Sequence, residues 1–331
     1  MERFGADVIG LNRPDVAFGI VNEGWKPWRL FDQTPVDVPD GFHPVTEPSG
    51  DLALMRGKEV VARMPKGGYY FDRLEVYPGG AHQAVEEVSP PVISDQLCDH
   101  YHRQSESLFQ NTDFAVIAPM GPPYELFYGL GTGNFEAWMM AFAAEPDYVN
   151  ALCEKLVDVW IENLRRFSSA VGNHVQILQF NDDFGTQSAP FISVKMFREL
   201  IMPHYKRGLD WIRENTEWKV FLHSDGAILP LIPSIIEMGV DVLNPIQTSA
   251  SGMDPETLKS EFGDQLVFWG GSLDCQKTLP FGSAEDVRRE VTEHVRLFSP
   301  GGGYVFAPVH NIQAGVPAEN VIAMFDAVLG K

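Results

Sequence analysis

From about residue 113 to the C-terminus, short runs rich in Val, Ile, Leu and Phe alternate with longer amphipathic stretches, and no other feature restricts the available folds as much. Short apolar runs suit strands buried on both faces, and a helix between successive runs joins them in parallel. The predicted strands are Phe114 to Ala118, Val175 to Phe180, Lys219 to Leu222, Val240 to Asn244, Leu266 to Trp269 and Tyr304 to Ala307. Parallel crossovers wind right-handed, and six or more such units close most economically into a barrel. The expected fold class is therefore α/β, a (β/α)8 TIM barrel. Ala6 to Leu11 supplies a seventh strand, which leaves the count one short of a complete barrel.

The helices carry their own signals. Between Pro146 and Ala170, apolar residues recur at Val149, Leu152, Leu156, Val157, Trp160 and Leu164, the three-and-four spacing of a buried helical stripe. Ser193, Asp254 and Ser283 each stand where a side-chain oxygen would cap a first turn, and acidic residues following the latter two suit a helix dipole. Residues 25–80 read differently. Proline and glycine clusters around Asp51 to Met55, Glu59 to Met64 and Tyr69 to Val76 predict short antiparallel strands, a small β-rich elaboration over the barrel mouth within a single 1–331 domain.

Composition excludes several function classes. With 45 Asp and Glu against 25 Lys and Arg, the formal charge is −20, which repels nucleic acid and anionic lipid. No apolar run is long enough to span a bilayer and Met1-Glu2-Arg3-Phe4 is not a signal sequence, so a cytoplasmic location is expected. Cys98, Cys153 and Cys275 are odd in number and far apart, which predicts no disulfide framework. Gly129-Leu130-Gly131-Thr132-Gly133 precedes a helix but lacks the spacing of a phosphate loop, and Gly301-Gly302-Gly303 precedes a strand and reads as a turn.

In a barrel, the residues just past each strand converge on one mouth. Here they are unusually polar: Asn181, Asp182 and Asp183; His223 and Asp225; Asn244 and Gln247; Asp274 and Cys275; His310 and Asn311. His223 and Asp225 lie two apart in Phe-Leu-His-Ser-Asp-Gly, so a persisting strand points both side chains the same way. Together with His310 they are candidate ligands for zinc or another divalent ion; alternatively His223 is a hydrogen-bonded barrel histidine and Asp225 a helix cap. Asp182 and Asp183 are candidate acid–base groups, with only one expected to face inward, or else they satisfy loop amides. Cys275 reads as a packed or idle thiol.

Several segments, in order and spacing, resemble the uroporphyrinogen decarboxylase superfamily: Gly121-Pro122-Pro123-Tyr124-Glu125-Leu126, Phe180-Asn181-Asp182-Asp183-Phe184-Gly185, Gly239-Val240-Asp241-Val242-Leu243-Asn244 and Tyr304-Val305-Phe306-Ala307-Pro308-Val309-His310-Asn311. The resemblance implies a (β/α)8 barrel. It also implies one of two activities. True decarboxylases share the histidine at His310, but their Arg-Gln-Ala-Gly-Arg segment is absent, Asn12 stands near their first-strand aspartate, and Gly129 falls at their tyrosine. In the corrinoid-dependent methyltransferase branch a zinc is held by His-x-Cys and a later Cys; here His223-Ser224-Asp225 matches with aspartate for cysteine, and His310 stands at the later cysteine.

The expected function is accordingly a metal-assisted methyltransferase. It would take a methyl group from a small donor, a methoxylated aromatic or methylamine type, to a corrinoid on a separate carrier protein. A metal at His223, Asp225 and His310 would act as a Lewis acid. Asp182 or Asp183 would supply a proton, and Tyr124, Gln247 and Trp269 would shape the pocket. The alternatives are a cofactor-free decarboxylase acting on a polycarboxylate, with His310 and an aspartate as acid and base, and a non-catalytic barrel that binds a tetrapyrrole or a partner. Related barrels are commonly dimers, which leaves homodimerisation open.

Overall fold

A computed structural model describes residues 4–330 except 14, 17–19, 22–23, 72, 75–81 and 128–134; the glycine-rich stretch Gly129 to Gly133 lies outside the described residues. Seven parallel strands form one sheet: β1 (Val8–Gly10), β2 (Ala115–Pro119), β3 (Ile177–Asn181), β4 (Lys219–His223), β5 (Val242–Asn244), β6 (Val267–Trp269) and β7 (Tyr304–Val305). Spatial order follows chain order throughout, as sequential right-handed βα units require. This is the α/β-barrel class expected from the alternation. Among the described residues no eighth parallel strand completes the ring.

The helices are α1 (Asp95–Asn111), α2 (Phe135–Ala144), α3 (Pro146–Val171), α4 (Val194–Leu200), α5 (Met202–Asn215), α6 (Ile232–Met238), α7 (Pro255–Phe262), α8 (Thr278–Phe281), α9 (Ala284–Phe298) and α10 (Ala318–Leu329). The caps fall where the sequence places them. Ser193 accepts from the amide of Met196, Asp254 from Thr257, and Ser283 forms a reciprocal capping box with Asp286, each arrangement supplying acceptors for otherwise orphaned first-turn amides. The predicted stripe of α3 is buried along its length, from Val149 through Trp160 to Leu164.

Core packing explains why sheet and helices stay together. Val116, Ala118, Leu178, Val220, Leu222, Leu243 and Phe268 of the strands are fully inaccessible, each large side chain among them contributing about 1.5–3 kcal/mol by burial. Trp160 of α3 packs edge-on to Tyr205 of α5 and donates its indole N–H to Met120 O at 2.8 Å, so its polar atom enters the core satisfied. Gly208 of α5 faces the same ring; a Cβ there would lie 2.2 Å from Trp160. Glycine is what lets the two helices approach so closely.

The N-terminal elaboration is antiparallel as predicted. Trp25–Arg29 pairs with Pro35–Pro39, Asp15–Val16 with Ile20–Val21, and Val45–Thr46, Leu52–Arg56, Glu59–Met64 and Arg73–Leu74 form a four-stranded meander. Prolines at three positions of the first hairpin are tolerated because a two-stranded ribbon has only edges. Among the described residues no helix is long and apolar enough to cross a membrane.

Candidate active site

Sheet register brings the polar strand ends to one level. Asn181 of β3 pairs with His223 of β4, and His223 with Asn244 of β5. Beyond β3 and β4 the loops are pinned together. Asp182 N donates to His223 O (2.9 Å), Phe184 N to Ser224 Oγ (3.0 Å), Asp225 N to Asp183 Oδ1 (2.9 Å) and Ala227 N to Thr186 O (2.8 Å). Gly185 and Gly226 make this crossing sterically feasible: a Cβ on Gly226, which has φ +95°, would lie 2.4 Å from the Gly185 backbone. The outcome is a cluster. One ligand atom from each of Asp183, His223 and Asp225 lies within 4.8 Å of the others.

The imidazole of His223 is oriented from behind. Asn244 Nδ2 donates to Trp269 O at 3.0 Å, and because a carbonyl only accepts, the amide oxygen must face His223, 2.7 Å from Nδ1. An oxygen at Nδ1 requires the hydrogen there. In the neutral ring Nε2 therefore keeps its lone pair, turned towards Asp225 Oδ2 at 3.3 Å, the tautomer that binds a metal. Burial draws the His223 pKa down, but the hydrogen bonds to Asp225 and Asn244 and the charges of Asp225 and Asp183 outweigh it, and the net shift is upward. Imidazole plus two carboxylates is a suitable oxygen- and nitrogen-rich donor set for a catalytic divalent ion, with three protein ligands and further positions left for substrate.

Other predicted site residues fall elsewhere. His310 is not in the cluster, whose third member is Asp183; it is exposed, with Nδ1 3.4 Å from Gln313 Nε2. Gln247 is buried and its Oε1 accepts from Gly226 N at 2.9 Å, so it secures the loop crossing. Trp269 stacks edge-on to Phe221 and lends its carbonyl to Asn244. Tyr124 is partly buried against the main core. Cys275 is half-buried, and burial raises its pKa, as suits an idle thiol.

Asp182 and Asp183 part company as adjacent residues leaving a strand should. Asp183 joins the cluster. Asp182 turns away from the cluster, fully buried, where Oδ2 accepts from Phe127 N (2.7 Å) and the Tyr205 hydroxyl (2.6 Å) while Oδ1 has no partner among the described residues. Burial first, then the charge of Glu125, push its pKa well above the usual carboxylate range. Asp182, expected as an acid–base candidate, is held here as an acceptor for Phe127 and Tyr205. Asp182→Asn keeps an acceptor oxygen and should fold as well as the parent, whereas Asp182→Leu orphans two donors at about 1–3 kcal/mol each. A carboxyl whose folded pKa is raised favours folding fully below its unfolded pKa and loses that contribution as pH rises toward the folded value. Denaturant unfolding should therefore show, from about pH 4 upward, a declining component in the parent that is missing in Asp182→Asn.

One functional candidate escaped sequence reasoning. Glu125, two residues before Phe127, has its pKa raised to about 7, by burial first and then by the Asp183 charge, with His223 opposing. The signal in the sequence is a lone carboxylate in the otherwise uncharged Gly121 to Leu126 segment.

Residues 83–330 match the sequence profile described as Uroporphyrinogen decarboxylase (URO-D). The chain belongs to the uroporphyrinogen decarboxylase family. A uroporphyrinogen decarboxylase of Psychromonas ingrahamii is 28% identical over 218 residues, which cover 64% of this URO-D family chain and 58% of that protein; less than two thirds of the relative's length is thus spanned. Among solved structures, a methyltransferase from Methanosarcina mazei superposes with a TM-score of 0.54 at 16% identity, covering 75% of this chain and 69% of that one. That likeness shows the shared fold.

Proposed function

We propose that this URO-D family chain is a metal-assisted methyltransferase, moving a methyl group from a small methylated donor to a corrinoid on a separate carrier protein. The observation that carries the reading is the Asp183–His223–Asp225 cluster at the strand ends. The barrel shared with the Methanosarcina mazei methyltransferase is consistent with it. When bound, a divalent ion would withdraw electron density from the donor atom carrying the methyl, and the carrier's corrinoid would accept that methyl.

The remaining work belongs to side chains. Asn244 holds His223 with its Nε2 lone pair available. The Asp225 amide, donating to Asp183 Oδ1, fixes the distance between the two loops that bear the carboxylates. Glu125 holds a proton for the departing oxygen or nitrogen, replacing Asp182 in that role. A general acid is most useful with a pKa near the working pH, and Glu125 sits at about 7.

Turnover should fall as pH rises through the Glu125 inflection, and Glu125→Gln should remove that limb of the profile. A bound dication offsets the Asp183 charge, so the inflection of the metal-loaded enzyme lies at or below about 7, with burial still holding it above an ordinary glutamate. The reading itself is tested by elemental analysis of protein purified without chelator, followed by incubation with a reduced corrinoid carrier and a methoxylated or methylamine donor. Demethylated donor appearing in step with loss of the reduced-corrinoid spectrum is expected. Metal-free protein that still turns over, or a fully metal-loaded protein inert to every donor of both types, would count against it.

The second reading is decarboxylation of a polycarboxylate, favoured by the name of the Psychromonas ingrahamii relative. Release of carbon dioxide undiminished by chelator distinguishes it.

A further inference from the structure

His310 stands outside the metal-competent cluster, yet its ring nitrogens are not equivalent. Gln313 Nε2 lies 3.2 Å from Asn311 O and 3.4 Å from His310 Nδ1. The carbonyl of Asn311 only accepts, so the Gln313 atom beside it is the NH2 group, and the same NH2 presents a hydrogen to Nδ1. The opposite end of the amide is tied as well, because the Tyr70 hydroxyl donates to Gln313 Oε1. Tyr70 belongs to the β-rich N-terminal elaboration, 243 positions away in the chain. A nitrogen that accepts keeps its lone pair, which leaves the hydrogen of the neutral ring on Nε2.

We propose that Gln313, steadied by Tyr70, is a positioning residue that holds His310 as an Nε2–H donor for an accepting oxygen of the substrate. The two mouth histidines are then complementary. His223 has its hydrogen on Nδ1, facing Asn244, and offers a lone pair at Nε2; His310 has Nδ1 occupied by a donor and offers a hydrogen at Nε2. A lone pair binds metal, whereas an N–H donates to an oxygen.

The loop that carries His310 runs along the rim of the same site. A Cβ on Gly270 would meet both Pro308 O (3.2 Å) and Asn244 Nδ2 (3.4 Å), so this loop passes beside the residue that orients His223. His310 itself is exposed, so its donor is accessible to a bound molecule.

The substrate class follows from the hydrogen's position. An N–H donor suits a carboxylate or phenolate oxygen, which has lone pairs to accept it. A methylammonium group carries only donors and cannot use it. Within the methyl-transfer reading, on which this substrate choice rests, the methoxylated aromatic acid is thereby preferred over the methylamine.

The tautomer can be read without any turnover. Full-length protein labelled with 15N-histidine is examined at about pH 8.5, above the ordinary imidazole range, by two-bond proton–nitrogen correlation, with His310→Gln identifying the resonance. The expected pattern is a protonated Nε2 and an unprotonated Nδ1 for His310, reversed in Gln313→Glu, whose carboxylate presents only acceptors, and partly reverted in Tyr70→Phe. Gln313 and Tyr70 are both exposed, so the variants keep the fold. A parent pattern with the hydrogen on Nδ1, or one unmoved by Gln313→Glu, overturns the proposal. In turnover, Gln313→Ala should raise KM for a methoxylated acid about tenfold, the equivalent of about 1.4 kcal/mol, with kcat nearly unchanged and metal content intact; an equal KM shift for a methylamine overturns the substrate assignment. Correct tautomers in a protein that transfers no methyl group would remove the methyl-transfer reading and leave the positioning role standing.

Discussion

Replacing His223 with alanine is expected to strip the protein of divalent metal and to lower turnover of a methylated donor on the order of a thousandfold, since Lewis-acid activation supplies several kcal/mol and each 1.36 kcal/mol is tenfold in rate. The loss follows from the donor count. Without the Nε2 lone pair only Asp183 and Asp225 remain of the cluster, two like charges held together by loop packing with no neutral ligand between them. Asn244→Ala removes the amide that fixes the ring's tautomer and should weaken the metal by about 10–100-fold, the usual cost of losing an outer-shell partner. Elemental analysis and titration calorimetry with zinc and manganese separate the two variants. Full metal occupancy in His223→Ala would show that the ion is bound elsewhere.

The second large effect is expected from a residue with no side chain. Gly226→Ala places a methyl 2.4 Å from the Gly185 backbone while holding φ near +95°. The conformational strain and the clash each cost about 1–3 kcal/mol. The alternative, separation of the two loops, breaks the bonds from Asp225 N to Asp183 Oδ1 and from Gly226 N to Gln247 Oε1. Separation moves Asp183 away from His223 and relieves the clash. Thermal unfolding should therefore fall and metal affinity fall with it. A variant that loses stability but keeps parental metal affinity would mean that the loop crossing does not set the cluster.

Several features of the site were readable because they depend on local chemistry. The strand ends of β3, β4 and β5 were placed by apolar runs, and polar residues at those ends were sure to gather at one mouth once the strands lay parallel in chain order. His223 and Asp225 lie 3.3 Å apart, although the strand ends at His223 and the loop, not strand alternation, brings Asp225 to it. Which of Asp182 and Asp183 faces the mouth could not be read, because strand alternation separates neighbours without saying which side the sheet will bury; the decision belongs to Tyr205 and Phe127, which capture Asp182 away from the cluster. The partner of Gln247 was unreadable for a similar reason. A glutamine after a strand looks the same whether it meets a substrate or, as here, the amide of Gly226.

By itself, then, the sequence determined the α/β alternation, the helix caps, the antiparallel N-terminal elaboration and the set of polar residues from which a site could be drawn, since propensity, periodicity and capping act within a few residues. Tertiary structure alone decided that Asp183 and not His310 completes the cluster, that Glu125 is buried enough to hold its proton near neutrality, and that Tyr70 meets Gln313 across the chain. Those outcomes depend on distances between segments far apart in sequence, which are set by the register of the sheet and the crossing of loops at Gly185 and Gly226, and no local pattern encodes a distance of that kind.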